Sequence, residues 1–172
     1  MIVLTEPEPN YLSSYRAACE EYRQMGITDY SFTDPDSCDI FQKFDNYRHG
    51  RNLKPNRVSS DYYWLVDEEA ERFLGEITLR HALSDALRIC GGHIGYGVRY
   101  GYWNKGYATR MVSAALERAK QLGLARVLIT CDDQNSASAR VAEKTGFLLE
   151  DKVEYTENGE KFLIRRYWKT IP

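Results

Sequence analysis

Hydrophobic residues recur along the chain with two periods, and each period predicts one kind of element. Apolar residues at the spacing i, i+3, i+4 and i+7, as at Ala108, Met111, Val112 and Ala115, predict amphipathic helices. The helices predicted in this way cover residues 10–25, 36–47, 106–122 and 135–145.

Short apolar runs and strict alternation predict the strands. Residues 72–81 alternate between an apolar face and a largely polar face that carries Glu76. The other predicted strands are residues 2–5, 62–66, 93–99 and 127–129. Asn158-Gly159 favours a two-residue turn, which predicts a hairpin of residues 148–156 and 161–168. The order of these elements predicts a mixed α/β fold.

Length, composition and charge narrow the class of protein. The 172 residues, of which 43% are hydrophobic and 28% charged, suffice for one domain with one core, so we expect a single domain over residues 1–172. A net charge of −2 offers no attraction for nucleic acid. Because no apolar run resembles a signal peptide or a membrane span, we expect a cytoplasmic protein without a membrane partner.

The cysteines give no sign of a metal centre. Cys19, Cys38, Cys90 and Cys131 form no CxxC pair, and their spacing fits no zinc site. We therefore expect reduced thiols and no metal.

The loop before the predicted helix 106–122 has the features of an anion-binding cradle. A helix N-terminus presents unpaired N–H groups and the positive end of the macrodipole, and Gly106 lets a phosphate approach the backbone. Lys105 adds a positive charge. A Walker loop is excluded because Lys105 precedes Gly106 instead of following it, and the glycines at 95, 97 and 101 do not match GxGxxG. The same glycines also suit a twisted strand and a loop.

Residues 94–147 resemble the central motifs of the GNAT superfamily of N-acetyltransferases. Residues 103–108, Trp-Asn-Lys-Gly-Tyr-Ala, stand where the family has Arg/Gln-x-x-Gly-x-Gly/Ala, with Trp103 replacing the usual Arg or Gln. Tyr-Trp-x-Lys-Gly-Tyr is similar to the branch that acetylates N-termini of ribosomal proteins. Asn135-x-x-Ser138, followed by Glu-Lys-Thr-Gly-Phe at 143–147, resembles the second family motif. Residues 79–81, 92–96 and 130–132 resemble a small bacterial group of predicted acetyltransferases with unassigned substrate.

The resemblance implies a fold and a cosubstrate. We expect a GNAT-like fold, in which a central, twisted, mostly antiparallel sheet is splayed between two parallel strands, flanked by helices and followed by a C-terminal hairpin. Acetyl-CoA would be the acetyl donor, and a small-molecule or peptide amine the acceptor, in a protein that is compatible with a homodimer. The residues expected at acetyl-CoA are Tyr96, Gly97, Val98, Trp103, Asn104, Lys105, Gly106, Tyr107, Ala108, Thr109, Asn135, Ser138 and Lys144.

The catalytic groups are less defined by the resemblance. Thr130 stands where some family members carry a Glu base, which leaves Glu76 and His93 as candidates, of which we favour Glu76. Ala142 replaces the Tyr that protonates the leaving thiolate in many relatives, so Ser138, used by the ribosomal-protein branch, is the expected acid. Cys131 allows a ping-pong route, against the direct transfer that is usual in the family.

Two other functions remain open at this point. The first is an acyl-CoA sensor without catalysis, which the missing family base and Tyr acid would suit. The second is an interaction module that has lost its ligand, against which the intact Lys105-Gly106 and Asn135 argue.

Overall fold

The computed structural model describes all 172 residues and has five α-helices and seven β-strands. The helices are α1 (Leu12–Gln24), α2 (Ile40–Arg48), α3 (Asp85–Ile89), α4 (Tyr107–Gln121) and α5 (Ser136–Lys144). The strands are β1 (Ile2–Thr5), β2 (Ser60–Asp67), β3 (Arg72–Arg80), β4 (Ile94–Val98), β5 (Arg126–Asp132), β6 (Leu148–Glu157) and β7 (Glu160–Thr170).

Every element predicted from the hydrophobic pattern is present. The second helix begins at Ile40 instead of residue 36, because the carboxylate of Asp39 caps it by accepting from the N–H groups of Phe41 and Gln42. The short helix α3, capped by Ser84, was not predicted, since five residues show too little periodicity. None of the helices is long and apolar enough to cross a bilayer.

The strands form two antiparallel sheets, which confirms the predicted mixed α/β fold. The first sheet has the order β1-β2-β3-β4, and the second has the order β5-β7-β6. Asn158 and Gly159 both adopt positive φ, 50° and 82°, as the tight turn between β6 and β7 requires. The first sheet ends at β4 and the second at β5, so each of these strands has one unpaired edge.

His93 joins the two sheets at one point. Its backbone N–H donates to the carbonyl of Leu128 over 2.8 Å, and the N–H of Leu128 donates to His93 Nδ1 over 2.9 Å. Strands β4 and β5 are not paired beyond this joint. This is the splay that the family resemblance predicts, and it leaves the edge of β4 free for a ligand.

Both faces of β3 are covered, which corrects the expectation of a largely polar face. On one face, a cluster that includes Ile77 and Met111 packs β3 against α4. On the other face, Trp64 and Phe73 pack against α1 and α2. Glu76 lies on this second face and is only 1% exposed. The predicted alternation holds from Gly75 to Arg80, but a β-bulge opposite Leu65 and Val66 places Leu74 on the α4 face and Phe73 on the Glu76 face, which corrects the prediction for these two residues. The sequence of one strand also does not show which helices cover its polar face.

Candidate active site

The N-terminus of α4 is open. Gly106 is its N-cap, with φ of 79° and no side-chain cap, and a Cβ built there would meet nothing within 4 Å. The first backbone bond runs from the N–H of Arg110 to the carbonyl of Gly106, 3.1 Å away, so the N–H groups of residues 107–109 precede it and are free to face an anion. Lys105 Nζ lies 4.6 Å from the centre of the Tyr102 ring. The N-terminus of α4 therefore offers free amides, and Lys105 adds a positive charge in the loop directly before it.

Trp103 anchors this loop to the end of β4. Its indole Nε1 donates to the carbonyl of Val98 over 2.8 Å and lies 3.2 Å from the hydroxyl of Tyr22, while 45% of the residue remains exposed. The Tyr22 hydroxyl also donates to the Val98 carbonyl. Where relatives place an Arg or Gln, this chain thus has an aromatic side chain that fastens the loop and contributes no charge.

The backbone of β4 offers donors along its free edge. The N–H of Arg80 donates to His93 O at 2.7 Å, and the N–H of Arg99 donates to Leu74 O at 2.8 Å, so the strand faces β3 at both of its ends. Because peptide groups alternate in direction, the N–H groups of Tyr96 and Val98 point to the unpaired edge. The amide of Gly97 points to β3, so of residues 96–98 only the outer two present N–H groups to a ligand.

Asn135 caps the N-terminus of α5 and leaves its side-chain NH2 donors without a partner in the protein. Its Oδ1 accepts from the N–H of Ser138 over 3.0 Å, as predicted for a cap. Its side-chain NH2 donates to no other group of the protein, so it is available to a ligand carbonyl. Lys144 ends α5 and is exposed, about 13–14 Å along the helix axis from Asn135. The contact of Lys144 with acetyl-CoA stays a prediction.

A pair of hydroxyl groups connects β4 to α5. The phenol oxygen of Tyr96 lies 2.9 Å from Ser138 Oγ. Burial raises the pKa of Tyr96 to about 12, so the phenol keeps its proton at neutral pH. The sequence analysis gave the backbone of Tyr96 a role at acetyl-CoA, but it gave the side chain none. The signal that could have indicated a role for the phenol was the alternation along β4, which places Ile94, Tyr96 and Val98 on one face of the strand.

The thiol of Cys131 lies beside the same serine. Burial raises the pKa of Cys131, and the hydrogen bond from Ser138 offsets this only in part. A protonated, buried thiol is a poor nucleophile, which argues against a ping-pong route through Cys131.

Glu76 is buried beneath α1 and α2. Its Oε2 accepts from Trp64 Nε1 over 2.9 Å, and its cross-strand neighbour on β4 is Gly97. Burial raises the pKa of Glu76 to about 7, against the opposing effects of the Trp64 bond and of Lys43. A carboxyl with such a pKa exists in both protonation states at neutral pH, as a general base must. Its access to solvent is far smaller than we expected from the sequence.

The other two candidate base positions have structural partners. Burial lowers the pKa of His93 to about 4, with Arg88 and Arg80 contributing, so its ring is neutral and accepts the Leu128 N–H at Nδ1. Thr130 Oγ1 accepts from the N–H of Gly91 over 2.8 Å. The geometry therefore favours Glu76 over His93. No group of three or more His, Cys, Asp or Glu side chains is placed to hold a metal ion.

Comparisons with known proteins agree with this geometry. The family model of the acetyltransferase (GNAT) domain matches residues 2–148. Among solved structures, the chain resembles the ribosomal L7/L12 alpha-N-protein acetyltransferase RimL in complex with coenzyme A, at 16% identity and a TM-score of 0.72, over 99% of this chain and 94% of that one. The microcin C7 self-immunity acetyltransferase MccE, in complex with acetyl-CoA and AMP, matches at 18% identity and a TM-score of 0.73, over 99% of this chain and 92% of that one.

A third solved structure is the ribosomal-protein-S5-alanine acetyltransferase from Vibrio fischeri, with 18% identity and a TM-score of 0.70, over 99% of this chain and 92% of that one. At these identities the likeness shows the fold. No curated protein matches the sequence. Since the family model covers most of the chain and the splayed sheet and α4 cradle are in place, the chain belongs to the GNAT family of acetyltransferases.

Proposed function

We propose that this protein is an acetyl-CoA-dependent N-acetyltransferase that moves the acetyl group directly to a primary amine, of a small molecule or a peptide N-terminus, within one domain over residues 1–172. One observation carries the proposal. The open amides of α4, the free edge of β4 and the Tyr96–Ser138 pair all border the gap between the two sheets. All four cysteines are free thiols, which favours the cytoplasm as its compartment.

The residues around the gap suit acetyl-CoA. The loop of residues 103–109 would hold the pyrophosphate through the α4 amides, with Lys105 supplying charge. The N–H groups of Tyr96 and Val98 and the side-chain amide of Asn135 would hold the pantetheine arm and the thioester carbonyl. The solved relatives named above include complexes with coenzyme A and with acetyl-CoA, which supports this assignment.

The chemistry requires a base, an oxyanion site and an acid. We assign the base to Glu76, acting through water because the carboxylate is buried. It takes a proton from the ammonium, and the freed amine nitrogen forms a bond to the thioester carbon. The Tyr96 and Val98 amides stabilise the oxyanion. The nitrogen of the tetrahedral intermediate gives its remaining extra proton to solvent water. When the C–S bond breaks, its electron pair stays on sulfur, which receives a proton from the Ser138 hydroxyl. Ser138 is then reprotonated through Tyr96 from solvent.

The family relatives support the acceptor class only broadly. The three relatives are named for ribosomal L7/L12, for the alanine of ribosomal protein S5 and for self-immunity to microcin C7. The two ribosomal cases share an amine as acceptor. We therefore propose the acceptor of this chain only as a primary amine.

One observation favours a second candidate function, an acyl-CoA sensor without catalysis. Glu76 is 1% exposed and the hydroxyl of Thr130, at the family's base position, is already bonded to Gly91. A protein that binds acetyl-CoA without transferring the acetyl group would need neither an accessible Glu76 carboxylate nor a free group at position 130.

Coenzyme A release against a panel of amines and N-terminal peptides separates the two functions. The enzyme releases coenzyme A only in the presence of a suitable acceptor, and mass spectrometry then finds an acceptor heavier by one acetyl group. Binding of acetyl-CoA without release on a wide panel would contradict the enzyme and support the sensor.

A further inference from the structure

Among the arginines that are not exposed, Arg80 is the one without a carboxylate partner. Five arginines are not exposed, and four of them have a carboxylate partner within 4 Å, namely Arg48, Arg99, Arg165 and Arg166. Arg80 has none. Its Nη1 donates to the carbonyls of Gly91 and Gly92, each at 3.0 Å, and its Nε and Nη2 donate to no other group of the protein. The guanidinium is largely buried without a counter-charge, which is costly, while its unpartnered Nε and Nη2 still reach solvent and are open to a ligand.

The position of Arg80 links it to the proposed reaction. Residues 76, 78 and 80 share one face of β3, and Gly95 lies opposite Thr78 on β4. A Cβ built on Gly95 would lie 3.6 Å from Nη2 of Arg80, so the guanidinium sits beside a stretch of β4 that has no side chain on this face. The next residue, Tyr96, carries the amide that we assign to the oxyanion. An anion at Arg80 would thus lie beside the residue that precedes the proposed oxyanion amide on β4.

The unpartnered nitrogen atoms of Arg80 indicate which kind of anion would fit. Because Nη1 is occupied by two carbonyls, the edge formed by Nε and Nη2 remains, and this edge matches the two oxygens of a carboxylate. Burial lowers the pKa of Arg80, with Arg57 adding positive charge nearby. A carboxylate would relieve both penalties.

We propose that Arg80 binds a carboxylate of the acceptor, and hence that the substrate is a short molecule with both a primary amine and a carboxylate. This inference rests on the proposed function, since it places the acceptor on the Gly95 side of β4. The proposal also explains why position 95 is a glycine, because a side chain there would occupy the space of the carboxylate.

The test compares two acceptors of equal chain length, 4-aminobutyrate and butylamine. We expect the wild-type protein to prefer 4-aminobutyrate in kcat/KM by about tenfold to a hundredfold, the value of charge-assisted hydrogen bonds to one carboxylate. Arg80→Met should bring this ratio close to one, mainly through KM, and Arg80→Lys should restore part of it. Gly95→Ala should also lower the ratio. Arg118→Met, which removes an exposed arginine on α4, is the matched control and should keep the ratio.

A second readout keeps the inference separate from the proposed function. Calorimetric binding of 4-aminobutyrate to the coenzyme A-loaded protein should weaken at least tenfold in Arg80→Met, whether or not product forms. Arg80-dependent binding without acetylated product would support the carboxylate site and contradict the enzyme. Turnover without a preference for 4-aminobutyrate, or an equal loss with both acceptors in Arg80→Met, would overturn the inference and leave the enzyme standing.

Discussion

The Tyr96 phenol and the Ser138 hydroxyl lie 2.9 Å apart, and this contact bridges β4 and α5. Ala142, one turn further along α5, is fully buried and leaves the helix without the Tyr found there in many relatives. A tyrosine from the neighbouring strand thus brings a phenol to α5 by another route. In the proposed mechanism, the leaving thiolate receives its proton from this hydrogen-bonded pair.

Removing either hydroxyl should slow the reaction. We expect Ser138→Ala to lower kcat by about 10²–10⁴-fold, the usual size of an acid–base contribution, and Tyr96→Phe to lower it less, because it acts through Ser138. The double variant should lose little more than Ser138→Ala alone, since the two groups act as a unit. Steady-state kinetics of the three variants, with Ser113→Ala on the exposed face of α4 as control, measures this. Losses that simply multiply would show that the hydroxyls act independently.

The α4 cradle can be tested with two glycines at opposite ends of one helix. Gly106 and Gly123 have φ of 79° and 75°, and a Cβ at either would meet nothing within 4 Å. Alanine should therefore cost similar stability at both positions through backbone strain, roughly 1 kcal/mol. Only Gly106→Ala places a methyl group where the pyrophosphate approaches, so only it should weaken acetyl-CoA binding, by tenfold or more in a titration. Equal affinity of both variants would remove the pyrophosphate from this loop.

The choice between Glu76 and His93 as base is open to kinetics. Glu76→Gln should lower kcat by about 10²–10⁴-fold, keep acetyl-CoA affinity and abolish the fall in rate below pH 7 that protonation of the carboxylate causes. His93→Asn keeps an acceptor for the Leu128 N–H and should retain turnover. If instead His93→Asn is inactive and Glu76→Gln active, His93 is the base. If both are active, the amine arrives neutral and the protein acts by positioning.

Glu76 should also make stability depend on pH. Its pKa is raised from 4.5 to about 7 on folding, so between these values the folded state binds the proton more tightly than the unfolded state does. The free energy of unfolding therefore falls as pH rises through this window. Relative to Glu76→Gln, the wild-type protein should lose about 2–3 kcal/mol from pH 5 to pH 8, measured by urea unfolding. Glu117→Gln, an exposed carboxylate on α4, should show no such difference. A constant difference for Glu76→Gln would mean that the carboxyl is not desolvated.

The sequence predicted the elements and the ligand loop because both depend on local patterns. The helical period of α4, the Asn158-Gly159 turn and the Asn135 cap each act over a few residues and appear in the structure as expected. The family motifs lie on the same segments, so the family could be identified before the fold was known.

The remaining features of the site depend on contacts between distant segments. That Glu76 is sealed beneath α1 and α2 depends on residues such as Tyr15 and Trp64, and β3 alone gives no sign of it. The hydroxyl pair joins residues 42 positions apart. Arg80 is unusual only because no carboxylate approaches it, and such an absence is invisible until all its neighbours are placed.

Titration of the protein with acetyl-CoA in a calorimeter tests the central claim most directly, because every role assigned here presupposes that this molecule enters the gap between β4 and β5. We predict one site per chain with a dissociation constant in the micromolar range, about −8 kcal/mol. The absence of binding up to millimolar acetyl-CoA would contradict the account.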